Sequence, residues 1–451
     1  MRTLPRILTR HESLDTEFSM FEQKIKDKSA LVAIVGLGYV GLPLAVAFAE
    51  AGLRVSGFDV QQKKVDSINR GESCVGDVGS GRLLALRSRG LIEATTDQNR
   101  LKEADAICIC VPTPLTRTKE PDLSYIIHES EEISQRLRRG QIIILESTTY
   151  PGTTRQVVQP ILERSGLKGG TDFYLAYSPE RVDPGSKKHS IRNTPKLVGG
   201  IDGESTKRAA LLYRQVADTV VPMSSSEVAE MTKVFENVFR SVNIALVNEL
   251  AQLCQNMGVS VWEVIDAAAT KPFGYMPFYP GPGVGGHCIP LDPYYLAAKA
   301  REFDFHTRFI ELAAEINERM PYYVVSRIME ALNANGKSLK GASVLVLGVA
   351  YKRNVADARE SPSMKLVELL LEKGADMRYN DPYLPVIDVG GRTLHSMDIS
   401  ERLLSEVDCC VIATDHSSYD LDRIAAGSRF VFDARGATAG LKHHNIVRLG
   451  E

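Results

Sequence analysis

Cys288 lies in the segment GPGVGGHCIPLDP, residues 281–293, which contains too much glycine and proline to form a helix or a strand. Glycines let a backbone close on a ligand and prolines fix the shape of a loop, so this segment presents its thiol rather than packing it. A presented thiol is a candidate nucleophile. The alternative is a small side chain that fills space in a rigid loop, and the loop alone leaves both interpretations open.

A dinucleotide-binding pattern occurs earlier in the chain. The sequence GLGYVG at residues 36–41 follows a predicted strand and opens a helix, and Asp59 closes the next strand. Gly36 would make the tight turn, Gly38 would admit a pyrophosphate and Gly41 would let the helix pack closely, although such a helix can also pack for structural reasons alone. Asp59 would repel a 2′-phosphate, which favours NAD over NADP. A thiol beside a nicotinamide suggests aldehyde oxidation through a covalent hemithioacetal.

Four polar residues follow one face of a long predicted helix. Glu230, Lys233, Asn237 and Arg240 are spaced by three, four and three residues, between apolar flanks. Residues at this spacing project from the same side of a helix. A buried ammonium and a carboxamide one turn apart can hold a substrate oxygen as negative charge grows on it. A solvated strip is the alternative.

Further polar side chains follow predicted strands. Thr148 ends one strand, and Glu180 and Arg181 lie in a loop after another. Ligands of open α/β sheets bind at such strand ends. Glu180 could act as a base toward water or a hydroxyl, or it could pair with a neighbouring arginine, and the sequence favours neither.

Basic residues cluster at the loops of a second predicted α/β unit. Lys352, Arg353 and Arg359 lie in its first loop, and Arg435 follows a later strand. Such groups suit a diphosphate or a uronate-like anion. Solvation at the surface is the alternative.

The composition limits the class of protein. A chain of 451 residues should divide into about two to four domains, and its net charge of -2 offers no general attraction for nucleic acid or an anionic membrane. The seven cysteines do not resemble a secreted disulfide framework, and Cys108 and Cys110 lack metal-ligand spacing and are interpreted as core. The uncharged run 30–49 contains glycines and a proline, so it predicts a strand, a turn and a helix rather than a membrane span. Residues 1–28 lack the apolar region of a signal peptide.

Short apolar runs alternate with helical patterns in two parts of the chain. In the first part the runs are residues 31–36, 53–59, 105–111 and 141–147. The second part begins with a run at residues 343–348, and a helical pattern from Ser226 to Gly258 lies between the two parts. The predicted fold class is α/β, with two Rossmann-like doubly wound domains joined by a long central helix.

Four motifs together resemble the UDP-glucose/UDP-N-acetylhexosamine 6-dehydrogenase family. They are the glycine fingerprint, the Lys233-x3-Asn237-x2-Arg240 helix, the GGHC sequence that ends at Cys288, and the GVAYK sequence of residues 348–352. They occur in the family's order at its approximate spacing. The resemblance implies an N-terminal extension at 1–28, an NAD-binding Rossmann domain at 29–222, a central helical domain with the cysteine loop and dimer interface at 223–335, and a UDP-sugar-binding Rossmann-like domain at 336–451.

The resemblance also implies roles for individual residues. Cys288 would be the nucleophile, Asp292 would orient or activate the hydrolytic water, and Lys233 and Asn237 would bind the developing oxyanion. The implied catalytic residues are Cys288, Lys233, Asn237, Asp292, Glu180 and Thr148. The implied cofactor-binding residues are Gly36, Gly38, Tyr39, Val40, Gly41, Asp59, Thr113, Thr148 and Arg359. The implied substrate-binding residues are Glu180, Arg181, Lys233, Asn237, Arg240, Tyr279, Gly285 and Lys352.

One departure from the family pattern indicates which branch of the family the sequence resembles. Where the UDP-glucose branch has a glutamate shortly after its Pro-Glu motif, this sequence has Pro184, which cannot act as a base. The acid–base role therefore moves toward Glu180. The segment KPFGYMPFYPGPG at residues 271–283 is most similar to the UDP-N-acetylglucosamine 6-dehydrogenases of bacterial surface-polysaccharide pathways.

The resemblance thus implies a four-electron oxidation of UDP-N-acetylglucosamine at C6, with two NAD consumed. The alternatives are a UDP-N-acetylmannosamine or UDP-glucose 6-dehydrogenase, a simple hydroxyacid dehydrogenase, or a non-catalytic NAD-binding regulatory protein. We expect a UDP-sugar as substrate, no metal, no nucleic-acid or membrane partner, and a homodimer or higher homo-oligomer in the cytoplasm.

Overall fold

The computed structural model describes residues 19–116, 119–181, 188–286 and 288–451. The chain divides into two compact units. The first comprises Met1–Phe235 with Tyr294–Glu302, and the second comprises Glu236–Pro293 with Phe303–Glu451. A helix of 32 residues, Ser226–Met257, contributes residues to both units and is called the central helix below.

The first unit contains an eight-stranded sheet. Its strands are β1 Leu31–Val35, β2 Arg54–Phe58, β3 Ile92–Thr95, β4 Ala106–Ile109, β5 Ile142–Leu145, β6 Tyr174–Tyr177, β7 Lys196–Gly200 and β8 Val220–Pro222. Their order is β3-β2-β1-β4-β5-β6-β7-β8, and β6 and β7 are antiparallel whereas the other neighbours are parallel. Strand order reverses between β1 and β4, so a ligand crevice is expected at the carboxyl ends of these two strands.

Helices cover the sheet of the first unit. Their bounds are Gly41–Glu50, Gln62–Asn69, Ser80–Ser88, Ser124–Ser134, Gln159–Glu163 and Gly203–Tyr213, with a 3₁₀ helix at Gln98–Glu103 and a π-helical turn at Thr154–Val158. Residues 19–26 are also helical. Phe21 and Ile25 of this segment pack into the core that includes β1 and β2. Part of the predicted N-terminal extension is therefore packed on the first unit.

The second unit contains a five-stranded parallel sheet. Its strands are β9 Ser343–Leu347, β10 Asp376–Asn380, β13 Cys409–Ile412, β14 Val431–Asp433 and β15 Ile446–Arg448, in the order β10-β9-β13-β14-β15, and β11 Val386–Val389 pairs with β12 Arg392–His395 in a separate hairpin. Its helices are Val261–Ala269, Arg308–Ala334, Pro362–Glu372, Glu401–Glu406 and Leu421–Gly427, and Asp292–Arg301 begins in this unit. Strand order reverses between β9 and β13, so this sheet is also doubly wound.

The predicted fold class is confirmed. The long predicted helix ends one residue before Gly258, whereas the predicted strands extended one or two residues too far. Cys110 and Val111, which follow β4, are nearly as buried as the strand itself and so continue its apolar pattern, while Cys108 within the strand is fully buried. The run 30–49 forms β1, the glycine turn and most of a helix. Across the described residues, no helix has the length and apolarity needed to cross a membrane.

Candidate active site

Among the three glycines of the turn after β1, only Gly38 has open space where a side chain would lie. Gly36 has φ +91°, and a Cβ there would lie 2.7 Å from the carbonyl oxygen of Cys110. A Cβ at Gly41 would lie 1.8 Å from the carbonyl oxygen of Gly36. At Gly38 a Cβ would meet nothing within 4 Å. Gly36 and Gly41 are therefore required by the fold, and the open space at Gly38 fits the close approach of a pyrophosphate.

Asp59 braces this turn. Its carboxylate accepts hydrogen bonds from the backbone N–H groups of Leu37 at 3.1 Å and Gln61 at 3.0 Å. Lys64 Nζ lies 2.6 Å from the same carboxylate. The acid that the sequence assigned to a ribose is thus also a structural anchor of the glycine turn, which the pattern by itself did not reveal.

The remaining predicted cofactor contacts of the first unit lie around the same crevice. Tyr39 is exposed and Val40 is half-buried, both within the glycine turn. Thr113 follows β4 and Thr148 follows β5, and both are half-buried. The carbonyl oxygen of Thr113 accepts a hydrogen bond from the hydroxyl of Tyr295, which fixes the loop after β4. Arg359, by contrast, belongs to the second unit.

Glu230 on the central helix is a buried anchor. Its carboxylate accepts hydrogen bonds from the N–H of Gly152 at 2.6 Å, and from the N–H and hydroxyl of Thr154 at 2.8 and 2.6 Å. Burial raises the pKa of Glu230 to about 7, although the hydrogen bonds from Thr154 and Gly152 oppose the shift. Glu230 therefore holds the first turn of the helix that follows Thr148.

The polar stripe of the central helix is buried over part of its length. Lys233 and Asn237, one turn apart, are 8% and 5% exposed. The Asn237 side-chain amide donates a hydrogen bond of 2.5 Å to Asp292, which is also buried. Arg240 is exposed, because ten residues of helical rotation turn it away from Glu230. The stripe therefore supplies a buried amide and ammonium, with Arg240 at the surface.

Cys288 is bonded to Asp292 through the backbone. The N–H of Asp292 donates a hydrogen bond of 2.8 Å to the carbonyl oxygen of Cys288, at the start of the helix Asp292–Arg301. The Cys288 side chain is half-buried, whereas five of the other cysteines are buried, three of them within strands. His287, which precedes it in the motif, lies outside the described residues. The backbone of Cys288 is thus bonded to Asp292, whose buried carboxylate accepts the hydrogen bond from Asn237.

The glycine-rich segment before Cys288 is held on both sides. On one side, the N–H of Gly281 donates to Asn248 at 3.0 Å, and Asn248 donates to Asn317 at 2.9 Å. On the other side, a Cβ at Gly285 would lie 2.8 Å from Tyr351 and from Pro362. The close approach needs glycine, so the loop is shaped by its contacts as well as by its prolines.

The second sheet has the same arrangement as the first, with a glycine after one strand and an aspartate that bonds the turn. Gly348, directly after β9, has φ +78°, and a Cβ there would lie 2.2 Å from the carbonyl oxygen of Thr414. Asp381, after β10, accepts hydrogen bonds from the N–H groups of Val349 at 2.8 Å and Ala350 at 3.0 Å. These positions correspond to Gly36 and Asp59 of the first unit. The switch point of this sheet is therefore built like that of the first, and a ligand crevice is expected there.

The predicted anion-binding residues of the second unit differ in their surroundings. Lys352 is half-buried in the loop after β9, and Arg359 in the same loop forms an ion pair of 2.7 Å with Asp357. Arg435 follows β14 and donates to the carbonyl oxygen of Ala413 at 3.1 Å. Tyr279 is 48% exposed, and its ring stacks on Trp262 with centroids 6.1 Å apart. Gly285 contacts the same loop that carries Lys352.

Glu180 lies beside a buried lysine that sequence reasoning missed. Lys196 Nζ lies 3.6 Å from Glu180 and 2.7 Å from Glu146. The guanidinium of Arg181 donates to the carbonyl oxygen of Pro195 at 2.7 Å. A cation does face Glu180, and it comes from the neighbouring strand. Opposite charges at the ends of two otherwise apolar strands, Glu146 directly after β5 and Lys196 at the start of β7, were the available signal for this pair.

The fold and these sites define a class of protein. A dinucleotide-binding sheet, a second nucleotide-binding sheet and a presented thiol are the parts of an NAD-dependent nucleotide-sugar dehydrogenase. The chain belongs to the UDP-glucose/GDP-mannose dehydrogenase family, whose NAD binding domain matches residues 30–217, whose central domain matches 227–319 and whose UDP binding domain matches 345–440. It is therefore an NAD-dependent oxidoreductase with a UDP-sugar as its class of substrate.

Individual relatives are named for different sugars. UDP-N-acetyl-D-mannosamine dehydrogenase of Pyrococcus horikoshii is 38% identical over 86% of this chain and 90% of its own length. UDP-N-acetyl-D-glucosamine 6-dehydrogenase of Pseudomonas aeruginosa is 38% identical over 80% of this chain and 85% of its own length. The solved structure of the Pyrococcus horikoshii UDP-D-ManNAc dehydrogenase matches with a TM-score of 0.85 at 35% identity, covering 93% of this chain and 99% of that one.

Proposed function

We propose that this protein oxidises the C6 hydroxyl of UDP-N-acetylglucosamine to a carboxylate in a four-electron reaction. The observation that carries the proposal is the buried hydrogen bond between Asn237 and Asp292, with Asp292 bonded in turn to the backbone of Cys288. A cysteine whose backbone is bonded to the residue that carries this carboxylate suits covalent capture of an aldehyde and hydrolysis of the resulting thioester.

The reaction proceeds through a covalent bond to the enzyme. When bound, NAD would supply the hydride acceptor for two successive oxidations, first of the C6 alcohol to an aldehyde and then of the Cys288 hemithioacetal to a thioester, so two molecules would be used in one turnover. Cys288 Sγ adds to the C6 aldehyde, and the ammonium of Lys233 and the amide of Asn237 stabilise the charge on its oxygen. Water then cleaves the thioester, with Asp292 orienting the water and Glu180 accepting its proton. The water supplies the second oxygen of the carboxylate, and the Cys288 thiol is released.

NAD is held by the first unit in this proposal. Gly38 leaves open space against the helix Gly41–Glu50, whose N-terminus favours a phosphate. Thr113 and Thr148 would border the nicotinamide end, at the carboxyl ends of β4 and β5. Thr148 would also contribute to the proton transfers. The UDP part would bind at the second sheet, where Lys352 and Arg359 offer cations to the diphosphate.

The choice of sugar rests on the sequence around the site. Pro184 and the segment 271–283 favour the acetamido sugars over UDP-glucose, and Pro184 lies outside the described residues. UDP-N-acetylmannosamine is the second candidate, because the relatives of that name are as similar as those named for UDP-N-acetylglucosamine. Tyr279, Arg181, Arg240 and Gly285 are proposed to contact the substrate.

Counting NADH per sugar tests the reaction. The protein is incubated with NAD and, separately, with UDP-glucose, UDP-N-acetylglucosamine, UDP-N-acetylgalactosamine and UDP-N-acetylmannosamine. We expect two NADH for each UDP-N-acetylglucosamine consumed, and a uronic acid by mass spectrometry. One NADH per sugar would contradict the thioester mechanism. Preference for another epimer would correct the substrate and leave the mechanism in place.

We further propose that two copies associate through the central helix. Phe235, Leu246, Leu253 and Met257 are each more than half exposed on this helix. At 3.6 residues per turn these four side chains fall on one stripe, within about 40° of one another. A continuous apolar stripe on a helix is typical of a surface that a partner covers, and the resemblance to this family points to a second copy.

A further inference from the structure

The first unit contains a cluster of buried ionisable groups that the proposed reaction does not use directly. Glu146 at the end of β5 has a fully buried side chain, and the side chain of Lys196 in β7 is 5% exposed. The hydroxyl of Tyr213 donates a hydrogen bond to Glu146. Burying an ion pair in a sheet costs desolvation free energy, so such a pair needs a compensating reason to be present.

The antiparallel pairing of β6 with β7 brings Lys196 to Glu180. The register pairs Ala176 with Gly200 and Tyr177 with Gly199. Continuing it by three residues places Glu180 opposite Lys196, and the ammonium lies 3.6 Å from the Glu180 carboxylate. The lysine thus lies between two acids, Glu146 behind it and Glu180 at the strand end.

We propose that Lys196 is a positioning residue that keeps Glu180 ionised and in place to accept a proton. This inference rests on the proposed role of Glu180 as the base. An ammonium at this distance favours the carboxylate form of its neighbour over the protonated form. Glu146 offsets part of the positive charge of Lys196 and so limits how strongly Lys196 acts on Glu180.

Among the described residues, several groups face Lys196 and Glu180. They are Glu146 after β5, Cys110 after β4, Tyr213 from the helix Gly203–Tyr213, and Arg181, whose N–H donates to Glu180. Burial lowers the pKa of the Lys196 ammonium, but the carboxylates of Glu146 and Glu180 outweigh it and raise that pKa above its ordinary value. Burial raises the pKa of Cys110 well above its ordinary value, so its thiol is neutral. Lys196 is therefore the buried cation of the cluster.

Two variants should shift the pKa of Glu180 in opposite directions. Glu146→Gln removes the competing carboxylate and leaves the whole charge of Lys196 to Glu180. Glu146→Gln combined with Lys196→Met removes the cation while leaving no unpaired buried charge, which Lys196→Met alone would create. We expect the acidic limb of the pH profile of kcat/KM to shift to lower pH in the single variant, because the pKa of Glu180 falls. In the double variant the limb should shift to higher pH by on the order of one pH unit.

The comparison between these two variants decides the inference. A limb at the same pH in both would overturn the positioning role, since a structural defect alone does not move a limb in opposite directions. If the double variant lacks turnover, infrared spectra recorded across the acidic range should show a protonated carboxyl band, lost on adding Glu180→Gln, that persists to a higher pH in the double variant than in Glu146→Gln, and persistence to the same pH in both would overturn the inference. If the wild type forms two NADH per sugar but the limbs do not move in the variants, the positioning role of Lys196 is rejected and the proposed reaction stands. If the wild type forms one NADH per sugar, the proposed reaction itself is rejected.

Discussion

At the scale of single residues, the Glu230 carboxylate shows how the central helix is anchored. Both of its oxygens accept backbone N–H groups, from Gly152 and Thr154. Glu230→Gln places an amide donor against one of these N–H groups, so we expect the free energy of unfolding to fall by about 1–3 kcal/mol. Urea unfolding measures the change. Glu227→Gln, one turn earlier and partly exposed, is the matched control and should change stability by less than about 0.5 kcal/mol.

The stability contribution of Glu230 also depends on pH. Burial raises its pKa from 4.5 to about 7 in the folded protein. Because the folded state binds this proton more tightly, the contribution is complete below the unfolded pKa and is lost as pH rises through about 7. The difference in urea midpoint between the wild type and Glu230→Gln should therefore shrink from acidic to neutral pH. A difference that grows over the same range would contradict this assignment.

Cys288 is the residue on which the proposed reaction depends. A serine at this position cannot form a thioester, so Cys288→Ser should lower turnover at least ~100-fold while leaving NAD binding unchanged. Mass spectrometry of the wild type quenched during turnover should show the sugar attached to Cys288. Cys74→Ser, at an exposed cysteine, is the control and should keep full turnover. Full turnover of the Cys288 variant would show that the thiol is structural.

At the scale of elements, different glycines of the turn after β1 serve folding and cofactor binding. A Cβ at Gly38 meets no protein atom, whereas one at Gly41 collides with the backbone of Gly36. Gly38→Ala should therefore keep the thermal midpoint of the wild type and raise the dissociation constant for NAD at least ~10-fold, because its methyl group enters the space of the pyrophosphate. Gly41→Ala should lower the midpoint itself. Unchanged NAD affinity in Gly38→Ala would place the cofactor elsewhere.

At the scale of the whole molecule, the exposed apolar stripe of the central helix predicts the assembly. Leu246 is 61% exposed at the middle of the stripe. Leu246→Glu puts a charge into the proposed interface, so we expect a lower sedimentation coefficient and a monomer at concentrations where the wild type is dimeric. Leu84→Glu, at another exposed leucine, should leave the assembly unchanged. A monomeric wild type would contradict the dimer.

The local patterns of the sequence determined the elements and the class of protein. Alternation of apolar runs with helical spacing predicted both doubly wound sheets, because each strand and helix must bury one apolar face. The glycine turn was readable because Gly36 and Gly41 are required by backbone contacts within one short loop. The segment around Cys288 was readable for the same reason, since glycine and proline act on the backbone where they stand.

Only the tertiary structure decided which polar groups meet. Asn237 and Asp292 are 55 residues apart in the chain, and Glu146 and Lys196 are 50 apart, yet each pair forms a buried contact. No periodicity within one element specifies such a partner, because the pairing depends on strand order and on the one antiparallel register that brings Lys196 to Glu180. The sequence therefore determined the elements and the candidate groups, while folding determined their partners and hence their charge states, since burial makes each charge depend on its neighbours.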